Sequence, residues 1–198
     1  MRVYFLRHGE TEYNAQGRYL GQTDLPLSQK GRSELRRAEL APGTVYVSPL
    51  RRTAETAEIL FPGVRQIIVP DFREMDFGVF EGRSYLDMER FAPYREWVEV
   101  GCLGQIPDGE SKAGFSQRTC AAFEALMDEA LGAGEGPLAI VAHGGTQMAV
   151  LERYALPRRD YFSWRAPPGG GFVLDAGRWR EERVLTLLDT VRYTGGGR

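Results

Sequence analysis

Cysteine is scarce in this chain: only Cys102 and Cys120 occur in 198 residues. Two thiols cannot build a disulfide scaffold, and both read as structural thiols of a reducing compartment. Charge of one sign does not predominate either, since 25 basic residues face 27 acidic ones for a formal net charge of −2. That balance excludes a strongly basic nucleic-acid binder. Long hydrophobic runs are missing as well. The N-terminal Val3-Tyr4-Phe5-Leu6 run stops at Arg7, short of the ~7–15 apolar residues of a signal-peptide core. The longest apolar run, Leu138 to Ala142, falls far below the ~20 residues of a membrane span. The expectation is a cytoplasmic protein without nucleic-acid or membrane partners, and nothing in the composition specifies an oligomeric state. What is present, 42% hydrophobic and 26% charged residues, suits a globular chain that buries a core.

Short β-rich runs alternate with helical patterns. Candidate strands fall at 3–6, 44–47, 66–69, 138–142, 171–174 and 184–188. Several are continuously apolar, as strands covered on both faces of a largely parallel sheet are. Ser28 is expected to cap a helix reaching Leu40, and Ser48 to cap one that begins at Pro49 and stops at Pro62-Gly63. Further helices are expected from Ser84, over 90–100 with a break at Pro93, over 113–131 and over 146–154. The alternation predicts an α/β fold of three αβα layers around a mostly parallel sheet of six strands. The whole chain, 1–198, reads as one domain, with 71–109 as a helical lid insertion.

His8 and His143 are the only histidines, and each follows an apolar strand and precedes a glycine. Ligands of open α/β sheets bind outside the carboxyl ends of strands, so both imidazoles belong to one candidate site. Ser48-Pro49-Leu50-Arg51-Arg52 adds arginine to the first turn of a helix, where free N–H groups and the helix dipole favour an anion. On helix position alone Arg51 and Arg52 are equivalent. Arg7 stands beside His8, and forked guanidiniums suit a phosphoryl group. Other phosphoryl chemistries fail on spacing. Gly109 to Gly114 leads to Phe115 rather than the lysine of a P-loop. The glycines at 132–136 precede a strand, the wrong context for a dinucleotide fingerprint. Six residues after the cysteines stand Asp108 and Leu126, not the arginine of a cysteine phosphatase. Zinc-ligand spacing is missing, so neither a metal nor another cofactor is expected. Histidine remains as the nucleophile, with Asp71, Glu74, Asp76 and Glu81 all open as the proton donor.

Four blocks carry a resemblance across nearly the whole chain. They are Leu6-Arg7-His8-Gly9-Glu10-Thr11 with Asn14 and the stretch to Ser28; Ser48 to Ala57; Arg73-Glu74-Met75-Asp76-Phe77-Gly78 with Phe80-Glu81-Gly82; and Val141 to Gly145. In this order they resemble the histidine phosphatase superfamily, which includes the phosphoglycerate mutases. The resemblance implies that His8 becomes phosphohistidine and that Arg7, Arg52, His143, Asn14 and Gly144 hold the phosphate. It further implies Glu74 as the proton donor, and leaves Arg51 on the surface or at the lid. Thr53 stands where alanine is common, and Phe80 where tryptophan is common; neither is expected to touch the chemistry. The length and Arg18-Tyr19-Leu20-Gly21-Gln22-Thr23-Asp24 look most like the short phosphatase group that includes α-ribazole phosphatases. The interval from Glu74 to His143 is shorter than in the mutases.

The activity so implied is a metal-independent phosphomonoester hydrolase acting on a small phosphorylated metabolite, possible examples including α-ribazole 5'-phosphate. Mutase-type transfer and a non-catalytic phosphate-binding module are the alternatives. The expected mechanism needs a neutral His8, a cationic His143 and a Glu74 with a raised pKa. Phe91, Tyr94, Trp97 and Trp164, with Arg83, Arg90 and Arg95, are candidate lid contacts, although core packing and solvated helix faces account for such residues equally well.

Overall fold

A computed structural model describes residues 1–134 and 136–195. β1 (Arg2–Arg7) leads through α1 (Glu12–Ala15) and α2 (Gln29–Glu34) to β2 (Thr44–Val47), α3 (Arg51–Leu60) and β3 (Arg65–Ile68). After α4 (Ala92–Glu99) and α5 (Lys112–Gly132) come β4 (Leu138–Ala142), α6 (Gly144–Tyr154), β5 (Ala155–Leu156), β6 (Gly170–Asp175), α7 (Trp179–Glu182) and β7 (Leu185–Arg192). The strands form one seven-stranded sheet in the order β3-β2-β4-β1-β6-β7-β5. β1–β4, β2–β3, β2–β4 and β5–β7 pair in parallel, whereas β6 runs antiparallel to both β1 and β7. All six expected strands are present. The seventh, β5, is a two-residue edge too short to carry any periodicity.

Alternation along the strands explains the layers. Val3 and Phe5 of β1, with Leu138, Ile140 and Ala142 of β4, join a core with Phe123 and Met127 of α5, Val150 and Leu151 of α6 and Trp179 of α7. Leu6, Ala139 and Val141 point the other way, into a second core with Val45, Val47, Ala57, Leu60 and Leu35. Successive side chains of a strand alternate faces, so both faces of the central strands are apolar and covered. Met75, Phe80, Met88, Trp97 and Ile106 of the 71–109 segment form a third cluster on Phe115, Ala149 and Tyr161. Among the described residues no helix is long and apolar enough to cross a membrane.

Local readings need correction where tertiary contacts prevail. α2 ends at Glu34 rather than Leu40, because Leu35 turns extended, bridges Thr194, and buries its side chain in the second core. The sequence predicts a flexible C-terminal tail over 194–198, but the same bridge anchors Thr194; residues 196–198 lie outside the described residues. Ser48 does not cap α3, whose N-cap is Leu50, because its hydroxyl is engaged by His143. Ser84 and Asp87 close a turn through two mutual hydrogen bonds instead of opening a helix. Pro93 lies in the first turn of α4 and breaks nothing, since a proline there gives up an N–H that has no intrahelical acceptor.

Phe123 anchors the first core: it stacks on Phe5 at 5.8 Å between centroids and on Tyr154 at 6.1 Å, with Trp179 edge-on at 5.4 Å. Phe123→Ala should lower unfolding stability by about 3–5 kcal/mol, read from urea denaturation. A loss below about 1 kcal/mol would show that the core collapses around the gap.

Candidate active site

The parallel register of β1 and β4 sets Arg7 opposite Ala142. The next residue of each strand is a histidine, and His8 N–H donates to Ala142 O at 3.0 Å. The two imidazoles therefore meet at one sheet edge, their centroids 5.2 Å apart and their planes at 65°. His8 is 3% exposed and His143 fully buried. Nδ1 of His8 lies 2.7 Å from Gly9 O, a carbonyl that can only accept. Nδ1 thus carries the proton and Nε2 keeps its lone pair. Burial, then the charges of Arg52 and Arg7, push the His8 pKa well below the usual imidazole range, so the ring is neutral.

Arg52 enters from the first turn of α3 and is fully buried. Its Nη2 donates to Gly21 O at 2.7 Å, Nη1 to Thr23 O at 2.8 Å, and Nε to His143 Nδ1 at 3.3 Å. Burial brings its pKa down to about 10, which leaves it cationic at neutral pH. Arg7 donates from Nη1 to Ala166 O at 2.8 Å, while its buried Nε has no hydrogen-bond partner. Among the described residues neither arginine has a carboxylate at ion-pair distance. Arg51 differs: it is exposed and pairs with Glu55 at 3.6 Å.

Glu74 is the one open acid candidate that reaches this cluster. Its carboxylate accepts from Met75 N and Gly145 N, each at 2.9 Å, and it is 7% exposed. Burial raises its pKa against the pull of those two N–H groups and of Arg52 and Arg7. Asp71 is exposed, and Asp76 caps its own turn through Gly78 N. Glu81 accepts from Gly21 N and Thr23 N, and so braces the loop whose carbonyls hold Arg52.

The expectation of a cationic His143 is corrected by its surroundings. Burial, followed by the charges of Arg52, His8 and Arg7, drives its pKa well below the usual range. Asn14 uses its carboxamide oxygen to close a capping box with Thr11, which leaves only its NH2 group for a ligand. Gly144 opens α6 against the Arg7 guanidinium, and Gly145 follows it. Of the lid candidates, Trp97 and Trp164 are core residues. Tyr94 shares a hydroxyl contact of 3.1 Å with Tyr19, Arg83 lies over Phe91 at 5.2 Å, and Arg90 and Arg95 are solvated. Cys102 and Cys120 are free thiols.

Residues 3–184 match the profile of the histidine phosphatase superfamily (branch 1). The chain belongs to this superfamily. A Cronobacter sakazakii relative named "Probable phosphoglycerate mutase GpmB" is 39% identical over 153 residues, 73% of this chain and 70% of that protein. Among solved structures, a phosphoglycerate mutase from Thermus thermophilus is 31% identical with a TM-score of 0.72, covering 96% of this chain and 98% of the other. The α-ribazole phosphatase from Shigella flexneri is 26% identical with a TM-score of 0.81 over 100% of both chains. The fold of this superfamily member is thus the phosphoglycerate mutase-like one.

Several contacts have no signal in sequence spacing. Thr56 Oγ1 accepts from Gly9 N at 2.9 Å, Gln22 Nε2 donates to Glu74 O at 2.6 Å, and Ser48 Oγ meets His143 Nε2 at 2.7 Å. Thr56 and Ser48 lie inside recognisable blocks, but only the three-dimensional fold shows what they touch. Gly145 is required by close approach: a Cβ there would stand 2.1 Å from Glu74 Oε1. Gly145→Ala should displace the carboxylate and reduce turnover about 100-fold with little loss of thermal stability. Wild-type kcat in the folded variant would show that Glu74 tolerates displacement.

Proposed function

We propose that this protein is a phosphomonoester hydrolase that works through a covalent phosphohistidine at His8. The observation that carries the reading is electrostatic. Two guanidiniums, one of them fully buried, converge on two neutral imidazoles without a carboxylate ion pair. Buried charges are normally paired, and a phosphate dianion bound by Arg7 and Arg52 supplies the missing charge. The Gly144 backbone and the Asn14 amide complete the cradle.

In the first step His8 Nε2 attacks phosphorus, an N–P bond forms and the ester P–O bond breaks. Phosphoryl transfer depends chiefly on positioning and charge stabilisation, which the arginines provide. Glu74, whose pKa burial raises, gives its proton to the leaving alkoxide. In the second step Glu74 takes a proton from water, the water oxygen bonds to phosphorus, the N–P bond breaks, and phosphate leaves.

The substrate class is a small phosphorylated metabolite. α-Ribazole 5'-phosphate is the first to try, because the Shigella α-ribazole phosphatase matches the fold over 100% of both chains. The segment 71–109 serves as the lid over the site. A phosphoglycerate mutase activity is the second reading, favoured by the names of the Cronobacter and Thermus relatives.

His8→Ala should remove nearly all release of free phosphate from an aryl phosphate, and normal turnover in that variant would refute the nucleophile. Interconversion of phosphoglycerates without net phosphate release would select the mutase reading. The raised pKa of Glu74 also fixes a sign: leaving-group protonation fails as pH rises through that pKa. Glu74→Gln should cut kcat by about 100-fold or more and abolish the alkaline limb of the kcat profile. Persistence of that limb would assign the proton to another group.

A further inference from the structure

Thr53, the departure from the expected alanine, is fully buried in the first turn of α3, three residues beyond the N-cap of a helix that Ser48 does not cap. Its Oγ1 lies 2.8 Å from Leu50 O and 3.0 Å from Ser48 O. It also lies 3.0 Å from Ser48 Oγ, which itself lies 2.7 Å from His143 Nε2 and accepts from Leu50 N at 3.3 Å. Every member of this chain is buried.

Counting hydrogens gives the chain one direction. The two carbonyls can only accept, so the single hydroxyl hydrogen of Thr53 goes to one of them. Thr53 Oγ1 must then accept from Ser48. With its own hydrogen spent on Thr53, Ser48 Oγ can only accept from His143, so Nε2 carries the ring proton. The other edge of the ring agrees, because Arg52 Nε–H donates to Nδ1. Nδ1 is therefore the lone-pair nitrogen, and that lone pair accepts the Arg52 Nε–H.

We propose that Thr53, acting through Ser48, is a positioning residue that locks His143 as its Nε2–H tautomer and so keeps the Nδ1 lone pair as the acceptor that holds the Arg52 guanidinium in the phosphate cradle. This rests on the phosphatase reading for its purpose, but not for its observable. If Thr53 loses its hydroxyl, the Ser48 hydrogen loses its acceptor and turns toward Nε2. The ring then prefers Nδ1–H, which sets a proton against the Arg52 Nε–H and loosens both groups. The charges that face His143 are Arg52 from α3, His8 and Arg7 from the end of β1, and Arg118 from α5; the Glu74 carboxylate lies on Gly145 N at the start of α6. None of these changes in the test.

The experiment records imidazole nitrogen shifts of the 15N-labelled full chain, with the only two histidines assigned by substitution of His8. Wild type should show His143 protonated at Nε2 alone. Thr53→Val, close in shape, should show Nδ1–H or exchange between tautomers. It should also weaken inhibition by inorganic phosphate about tenfold and shift the acid limb of the kcat/KM profile. Thr53→Ser should restore all three. Should the valine variant not fold, Thr53→Ala carries the same test without the added methyl. An unchanged tautomer on loss of the hydroxyl overturns the proposal, as does a changed tautomer with unchanged phosphate inhibition. The nitrogen shifts are read in unreacted protein, so a failed phosphohistidine mechanism would leave this result standing on its own.

Discussion

A fully buried guanidinium without a carboxylate beside it is the constraint around which this structure is arranged. Arg52 spends its donors on two carbonyls of the 21–23 loop and on one imidazole nitrogen, none of which cancels its charge. An unpaired buried cation is costly, and the surroundings reflect that cost. Its own pKa falls, both histidines are held neutral, and Glu81 braces the carbonyls that hold the guanidinium. The result is a cationic cradle with neutral, lone-pair-bearing rings inside it, suited to capture a phosphoryl dianion.

The sheet makes this arrangement rigid. β1 and β4 lie side by side in the centre, covered on both faces, and their register places the two histidines at the same edge. α3 follows β2, the other neighbour of β4, and brings Arg52 to that edge from the second face. Glu74 arrives from a segment whose own core rests on α5 and α6, and Gly145 holds it at the start of α6. Elements distant in sequence thus each contribute to the cluster, the end of β1 supplying both Arg7 and His8. Packed strands and helices set the two histidines and Arg52, and the 21–23 loop and the irregular chain around Glu74 complete the geometry.

Much of this was legible in the chain itself. Continuous apolar runs marked six of the seven strands, and the His-Gly pairs at two strand ends marked the site. Position within the helix could not separate Arg51 from Arg52; the family resemblance did, and burial accounts for it, since Arg52 faces the sheet while Arg51 pairs with Glu55 in solvent. The missed features depend on long-range contact. α2 stops early because Leu35 finds Thr194, Ser48 abandons its capping role for His143, and His143 is neutral because burial, followed by the charge of Arg52, lowers its pKa. Thr53 looked like a packing change and proves to close a chain of hydroxyls. None of these partners is near its residue in sequence except Thr53, and there the decisive fact is the direction of a hydrogen.

The central claim is that the Nε2 lone pair of His8 receives the phosphoryl group, and covalent trapping tests it most directly. The enzyme would be mixed with a radiolabelled phosphomonoester for less than one turnover, quenched in alkaline denaturant, digested and mapped. The account predicts a single acid-labile, alkali-stable phosphoryl group on the peptide that contains His8. Label on any other residue, or phosphate released at full rate with no labelled protein at any time, would contradict it.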